Sequence, residues 1–306
     1  MIKMSNNQSI ICFGEMLWDL LPTGKVEGGA PMNVACHAAR LGHLTRMISR
    51  VGDDELGHNL VRFLGSKNVN VQAVQFDPVI PTGTVEVTLD ALGAPSYEIV
   101  YPSAWDFIQV KSEEEKYVRG AGAFVFGSLI CREKQSCTAL FKCLELAQLK
   151  VFDVNLRPPF YSEEGIQALL LVSNIVKMNL EELEVIAGWS NYEGTVEQRM
   201  KLLFERFGWN VLVVTLGSGG AYAYTSAGFC YEKGVAVPVV DTIGSGDAFL
   251  AGFIHYYLQE KPTGQALRYA NALGAFNALF SGGTPVITEG AFEAFCAENQ
   301  LIIDFN

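Results

Sequence analysis

Six short apolar runs punctuate the chain: Ile10 to Phe13, Thr45 to Val51, Phe124 to Phe126, Val151 to Val154, Ile175 to Met178 and Val211 to Thr215. Between them, over Met32 to Leu41, Leu56 to Leu64, Thr138 to Leu146 and Val196 to Phe207, apolar residues recur every three or four positions. That period puts them on one face of a helix, so the alternation predicts βαβ units. Val151-Phe-Asp-Val and Val211-Leu-Val-Val-Thr are apolar without alternation, as strands covered on both faces are, and this points to a mainly parallel sheet. Ser112-x-x-Glu115 and Thr195-x-x-Gln198 have the form of capping boxes at helix starts.

Two segments break the rhythm. Met16 to Val26 and Thr82 to Tyr101 read as strand pairs: Thr84-Val-Glu-Val-Thr-Leu alternates with period two, and Gly93-Ala-Pro turns the chain into Tyr97-Glu-Ile-Val-Tyr. Two extended insertions from separate places suit a small sheet beside the main layer, a lid over a pocket. No internal repeat or linker is visible.

Composition narrows the function. The 306 residues allow two domains of about 150 each. The net charge of −11 argues against a surface for nucleic acid or anionic lipid. No apolar run is long enough to span a bilayer and the first nine residues are polar, so the expected setting is cytoplasmic. Seven cysteines without a C-x-x-C pair fit neither a disulfide framework nor a zinc site; Cys131, Cys137 and Cys143 fall in a stretch that reads as one helix. Thirty glycines are about 10% of the chain, above the usual ~7%.

The sharpest local signal is Asp241-Thr-Ile-Gly-Ser-Gly-Asp247, followed by an apolar stripe from Phe249 to Leu258 that starts a helix near Gly244 to Asp247. The first amides of a helix lack intrahelical acceptors, and glycines let an anion approach them. A carboxylate beside such a hole suits phosphoryl transfer to a hydroxyl: Asp247 takes the proton while the amides of Gly244, Ser245 and Gly246 stabilise charge. The other reading of Asp247 is a favourable charge for the helix dipole. No G-x-x-x-x-G-K-[ST] is present, and Gly244-x-Gly246-x-x-Phe249 fails the dinucleotide fingerprint at its third glycine. A second signal, Gly28-Gly-Ala-Pro-Met-Asn33, places a diglycine and a proline at another helix start.

Together these two segments resemble the ribokinase-like (phosphofructokinase-B type) carbohydrate kinases over nearly the whole chain, and within them the fructokinases. Phe152-Asp-Val-Asn-Leu-Arg-Pro is similar to a segment of fructokinases and 2-keto-3-deoxygluconate kinases, and Tyr101-Pro-Ser-Ala-Trp-Asp106 to the fructokinase lid. The resemblance implies a three-layer α/β/α fold around a mostly parallel sheet. It implies a single kinase domain over 1–306 with a discontinuous β lid near 15–29 and 80–107. It implies ATP-dependent phosphorylation of a sugar hydroxyl, D-fructose to fructose 6-phosphate first, 2-keto-3-deoxygluconate second. A ribose or nucleoside kinase and a catalytically silent sugar or nucleotide sensor complete the alternatives.

By the same resemblance Asp19, Gly28, Gly29 and Asn33 bind sugar hydroxyls, Trp105 stacks on a sugar face, and Arg157 meets an anionic group or forms a salt bridge. Asn155 and Asp106 support the fructokinase likeness. Asn179 and Glu182 order the water shell of Mg²⁺ near ATP, or cap the next helix. Thr215, Gly217, Gly219 and Gly220 form a nucleotide loop, or a hairpin turn, and Asn271 lies near adenine. Asp241, the Ile243 carbonyl and Gly283 form part of a monovalent-cation site, with potassium as the ion. The expected partners are the sugar and ATP, with neither nucleic acid nor membrane, and a homodimer through the lid.

Overall fold

The computed structural model describes residues 9–21, 24–89, 95–190 and 194–305, with the side chains of 87–89 and 95–97 set aside. Met1 to Gln8, at the polar start of the chain, and Gly93 and Ala94 of the expected lid turn lie outside the described residues. The chain divides into two compact units, Met1–Ala147 and Gln148–Asn306.

The first unit begins with β1 (Ser9–Phe13), β2 (Leu17–Leu21), β3 (Gly24–Gly28), α1 (Ala30–Arg40), β4 (Leu44–Gly52), α2 (Glu55–Ser66) and β5 (Val74–Asp77). It continues with β6 (Gly83–Leu89), β7 (Pro95–Ile99), a 3-10 turn at Ala104–Phe107, α3 (Ser112–Arg119), β8 (Ala123–Gly127), a 3-10 turn at Leu129–Arg132 and α4 (Lys134–Leu144). β5, β4, β1 and β8 lie side by side and all parallel. β8 is buried along its whole length, as its unbroken apolar run predicts.

The two irregular segments do find each other. β2 pairs in parallel with β6, and the small sheet runs β3-β2-β6-β7. Chain through Phe107 belongs to the expected lid, but its last stretch is a turn rather than strand. The helix start at 112 is shifted by one: the Lys111 amide donates to Glu114 Oε2 (2.9 Å), so Glu114 rather than Glu115 closes the first turn of α3.

The second unit holds β9 (Lys150–Asp153), α5 (Glu163–Val172), β10 (Ile175–Asn179), α6 (Leu180–Gly188), α7 (Val196–Phe207) and β11 (Val211–Thr215). After these come β12 (Ala221–Thr225), β13 (Gly228–Glu232), α8 (Ser245–Leu258), α9 (Thr263–Asn277) and α10 (Ala291–Glu298). β9, β10 and β11 are parallel; β12 and β13 add an antiparallel hairpin that the apolar-run reading does not contain. Its signal was the alternation of Tyr222 and Tyr224 before Ala227-Gly. Thr195 caps α7 with Gln198, as the box predicts. α8 and α9 pack closely because Gly252 has no side chain: a Cβ there would sit 3.2 Å from Tyr269 and Leu273. That packing holds the N-terminus of α8 in place.

Candidate active site

Gly244 caps α8 in the left-handed region (φ 71°), and a Cβ there would lie 2.4 Å from the Gly283 carbonyl, so only glycine fits. The hole is narrower than the three amides expected. The Ser245 amide donates to the Thr242 carbonyl (3.2 Å), whereas the amides of Gly244 and Gly246 meet no acceptor among the described residues. The Ser245 hydroxyl is buried there without a partner. Asp247 occupies the third helical position, 9% exposed, beside this set of donors.

A residue that sequence reasoning passed over completes the picture. Lys177, in the middle of β10, is buried and places Nζ 2.9 and 3.2 Å from the two carboxylate oxygens of Asp153. A Cβ on Gly246 would be 3.3 Å from the same ammonium. Burial alone would push this lysine down, but the carboxylates of Asp153, Glu182 and Asp247 outweigh it and hold it above the ordinary lysine value. The hole thus has two open amides and a charged ammonium, with the Asp247 carboxylate in the same field. The available signal was a lysine inside an otherwise apolar strand, where an unpaired charge is not tolerated.

Glu182 also serves the turn after β9. Its Oε1 accepts the Leu156 amide and its Oε2 the Asn179 amide (both 2.8 Å), while Asn179 Oδ1 accepts the Glu182 amide. The capping reading of this pair is therefore realised, and Glu182 clamps two loops at once. Burial and the nearby Asp153 raise its carboxyl, against the opposing pull of Lys177 and the two amides. The clamped turn puts Asn155 at φ 41° and leaves Arg157 exposed. Arg157 forms no ion pair with any described residue, donating only to the Leu156 carbonyl (3.1 Å), so the salt-bridge reading falls away.

In the first unit, Asp19 on β2 and Gly28 on β3 are brought together: a Cβ on Gly28 would lie 2.5 Å from Asp19 Oδ2. Gly29 (φ 116°) caps α1, with the Glu15 carbonyl 2.5 Å from where its Cβ would be, and the buried Asn33 follows one turn later. Trp105 needs correction. It is fully buried, its ring covered by the Arg132 guanidinium at 3.9 Å and its edge packed on Gly83, so no face is left to stack on a sugar. Asp106 is the buried partner of Arg132 (2.7 and 2.8 Å) and caps its own turn through the Ser103 amide.

Thr215 ends β11, and Gly217, Gly219 and Gly220 make the tight turn into β12. Gly220 (φ 100°) lies against the backbone at Glu232 to Gly234, leaving no room for a Cβ. Asn271 on α9 donates to the Glu232 and Lys233 carbonyls (3.0 and 3.3 Å), tying that helix to the end of β13. Asp241 accepts the Ile243 and Gly282 amides (3.0 and 2.9 Å), and Asn277 donates to the Ile243 carbonyl (3.1 Å). The other amide atom of Asn277, Oδ1, is buried with no partner. Asp241, Ile243, Gly283 and this acceptor thus gather behind the hole. No group of three or more His, Cys, Asp or Glu side chains among the described residues is arranged to hold a metal ion directly. No helix among them is long and apolar enough to cross a membrane.

The chain is similar to known carbohydrate kinases. The pattern of the pfkB family carbohydrate kinases matches residues 7–289. The Arabidopsis thaliana protein "Probable fructokinase-7" is 32% identical, covering 91% of this chain and 89% of the relative. The crystal structure of a Vibrio cholerae O395 fructokinase with fructose, ADP and a calcium ion superposes with a TM-score of 0.81 at 27% identity, over 94% of this chain and 99% of that one. A double mutant of that fructokinase, with fructose, ADP and a potassium ion, gives 0.82 at 26% identity, over 96% and 99%. The α/β fold, with its mostly parallel strands and separate small sheet, is the class the sequence predicted.

Proposed function

The chain belongs to the pfkB family of carbohydrate kinases, and from that premise we propose that it transfers the γ-phosphate of ATP to D-fructose, giving fructose 6-phosphate and ADP. The observation that carries the reading is Asp247 beside two open amides and the buried Lys177 ammonium. Asp247 accepts the proton of the sugar hydroxyl as its oxygen attacks phosphorus. Gly244, Gly246 and Lys177 balance charge on the group in transit, which is the main task of the protein in phosphoryl transfer. Asp19, Gly28, Gly29 and Asn33 bind the sugar under the small sheet acting as lid, with the two compact units serving as one kinase domain. The glycine turn at 217–220 and Asn271 serve the nucleotide.

Mg²⁺, which shields phosphate charge, travels with ATP in this reading. Each Glu182 oxygen gives one lone pair to an amide, leaving the other for a metal-bound water, so the residue fits indirect contact only. Potassium fits the oxygens of Asp241, Ile243 and Gly283, with the unpartnered Asn277 Oδ1 as a further ligand. A cytoplasmic setting accords with seven cysteines that are all free. Dimerisation through the small sheet, whose outer strands β3 and β7 have no further neighbour among the described residues, is checked by light scattering.

One observation favours a second substrate. The unpaired Arg157 suits an anionic group, and 2-keto-3-deoxygluconate carries a carboxylate. ADP release is therefore measured with fructose, ribose, 2-keto-3-deoxygluconate and adenosine, in potassium and in tetramethylammonium chloride. Fructose turnover at background overturns the substrate assignment. Asp247→Asn is expected to lower kcat by roughly 10²- to 10⁴-fold with sugar affinity retained, and unchanged turnover would sink the mechanism.

A further inference from the structure

Two cysteines outside this site face each other. Cys131 closes the 3-10 turn at Leu129–Arg132, and Cys137 lies in the first turn of α4. Read as one continuous helix, the two would be about 9 Å apart along the axis. Glu133 instead adopts an extended conformation (φ −118°, ψ 134°), which folds the turn back over the helix start and brings the sulfurs to 2.6 Å. Closing a bond from there takes only about 0.6 Å of movement. Both residues are partly exposed, whereas Cys12, Cys36, Cys143 and Cys296 are buried.

The pair is asymmetric. Cys137 is held below the ordinary thiol value because Cys131 hydrogen-bonds to its sulfur, with burial opposing, while that hydrogen bond and burial push Cys131 up. The start of α4 adds a positive backbone field at Cys137. Both sulfurs line an open cleft of about 690 Å³ whose rim carries Arg132, Lys134 and Lys142 against a single carboxylate, Glu145. Arg132 and Lys142 are engaged by Asp106 and Glu115, and Lys134 stands exposed. On a chain of net charge −11, this leaves Lys134 as an exposed cation lining the cleft beside the dithiol.

We propose that Cys131 and Cys137 form a reversible intramolecular disulfide by exchange with an anionic low-molecular-weight disulfide of the glutathione type, which docks in this cleft. The Cys137 thiolate attacks one sulfur of the small disulfide, breaking its S–S bond and expelling one thiolate to leave a mixed disulfide. Cys131 then loses its proton to solvent and attacks Cys137 Sγ, expelling the second thiolate. Two protein thiols are oxidised and one small disulfide is reduced to two thiols. The turn that carries Cys131 also carries Arg132, whose guanidinium holds Asp106 and the Val100 carbonyl, so the bond ties that clamp to α4.

The full chain is incubated with oxidised and reduced glutathione at graded ratios, then alkylated, digested with trypsin and weighed. The expected product is peptide 120–132 joined to peptide 135–142, restored to free thiols by dithiothreitol. Cys131→Ser should stop at a glutathione adduct on Cys137, and Cys137→Ser should slow reaction at 131 by about tenfold. Neutral hydroxyethyl disulfide should react about fivefold more slowly than oxidised glutathione at low salt, and the difference should shrink with added salt or in Lys134→Gln. Absence of the joined peptide, or oxidation of the other five cysteines at the same rate, overturns the exchange. Equal rates for the charged and neutral disulfides overturn the docking.

Discussion

Among the described residues each unit holds a buried ion pair, Arg132–Asp106 in the first and Lys177–Asp153 in the second, and the two differ in what surrounds them. Arg132 and Asp106 are 1% and 0% exposed; the guanidinium engages both carboxylate oxygens, donates to the Ile99 and Val100 carbonyls, and covers the Trp105 ring. Each of its three nitrogens donates inside the fold. Lys177 and Asp153 are 10% and 5% exposed, and the ammonium also feels Glu182 and Asp247 and borders the open Gly246 amide. A planar fork that is saturated by the protein makes a clamp. A point charge shared among three carboxylates, next to amides without acceptors, is not saturated in that way.

Substitution should separate the two roles. Lys177→Met is expected to lower kcat by about 10²- to 10³-fold with sugar KM little changed. The double variant with Asp153→Leu should regain stability without regaining turnover; recovery of turnover would make Lys177 a clamp like Arg132. Because its pKa is raised, Lys177 keeps its charge through neutral pH, and its contribution should fade only as pH rises beyond the ordinary lysine value of 10.5. A loss near neutrality in the pH–rate profile would contradict this.

Arg132→Met should cost about 3–5 kcal/mol in denaturant unfolding, since it strands a buried carboxylate, and Arg132→Met with Asp106→Leu should recover most of it. Turnover per folded molecule should stay within about twofold in both. Smaller effects calibrate the scale. Asp54 caps α2 through the Gly57 amide and also holds the Thr82 amide and hydroxyl. Burial works against its charge, yet these bonds outweigh it and keep its carboxyl below the ordinary 3.8. A depressed carboxylate contributes stability above its unfolded value and loses it as pH falls through the folded one. Asp54→Ala should therefore cost about 1–2 kcal/mol at neutral pH and much less once pH falls well below 3.8. Thr195→Ala, which removes an exposed cap of α7, should cost about 0.5–1 kcal/mol by the same assay.

Much of this was legible in residue order. The parallel strands show as apolar runs without alternation, and the α8 start shows as glycines ahead of an apolar stripe. What escaped has a common cause. Lys177 sits inside an apolar run, two residues before Asn179, and its meaning depends on β9 and α8 supplying Asp153 and Gly246 from 24 and 69 positions away. Trp105 looks like a lid aromatic in sequence, but Arg132, 27 positions on, covers its ring. The β12–β13 hairpin is short and half-exposed, so its alternation is weak.

The sequence by itself determined the βαβ rhythm, the family and the place of the Asp247 carboxylate at the start of α8, because these rest on periodicity and on residues adjacent in the chain. Tertiary structure alone decided which charges meet. It committed the Ser245 amide to its own turn, spent both Glu182 oxygens on backbone, left Arg157 unpaired, and folded Cys131 onto Cys137. Each outcome depends on distances of a few ångströms between segments far apart or sharply bent, and hydrogen bonds and ion pairs vary steeply over that range while hydrophobic periodicity does not.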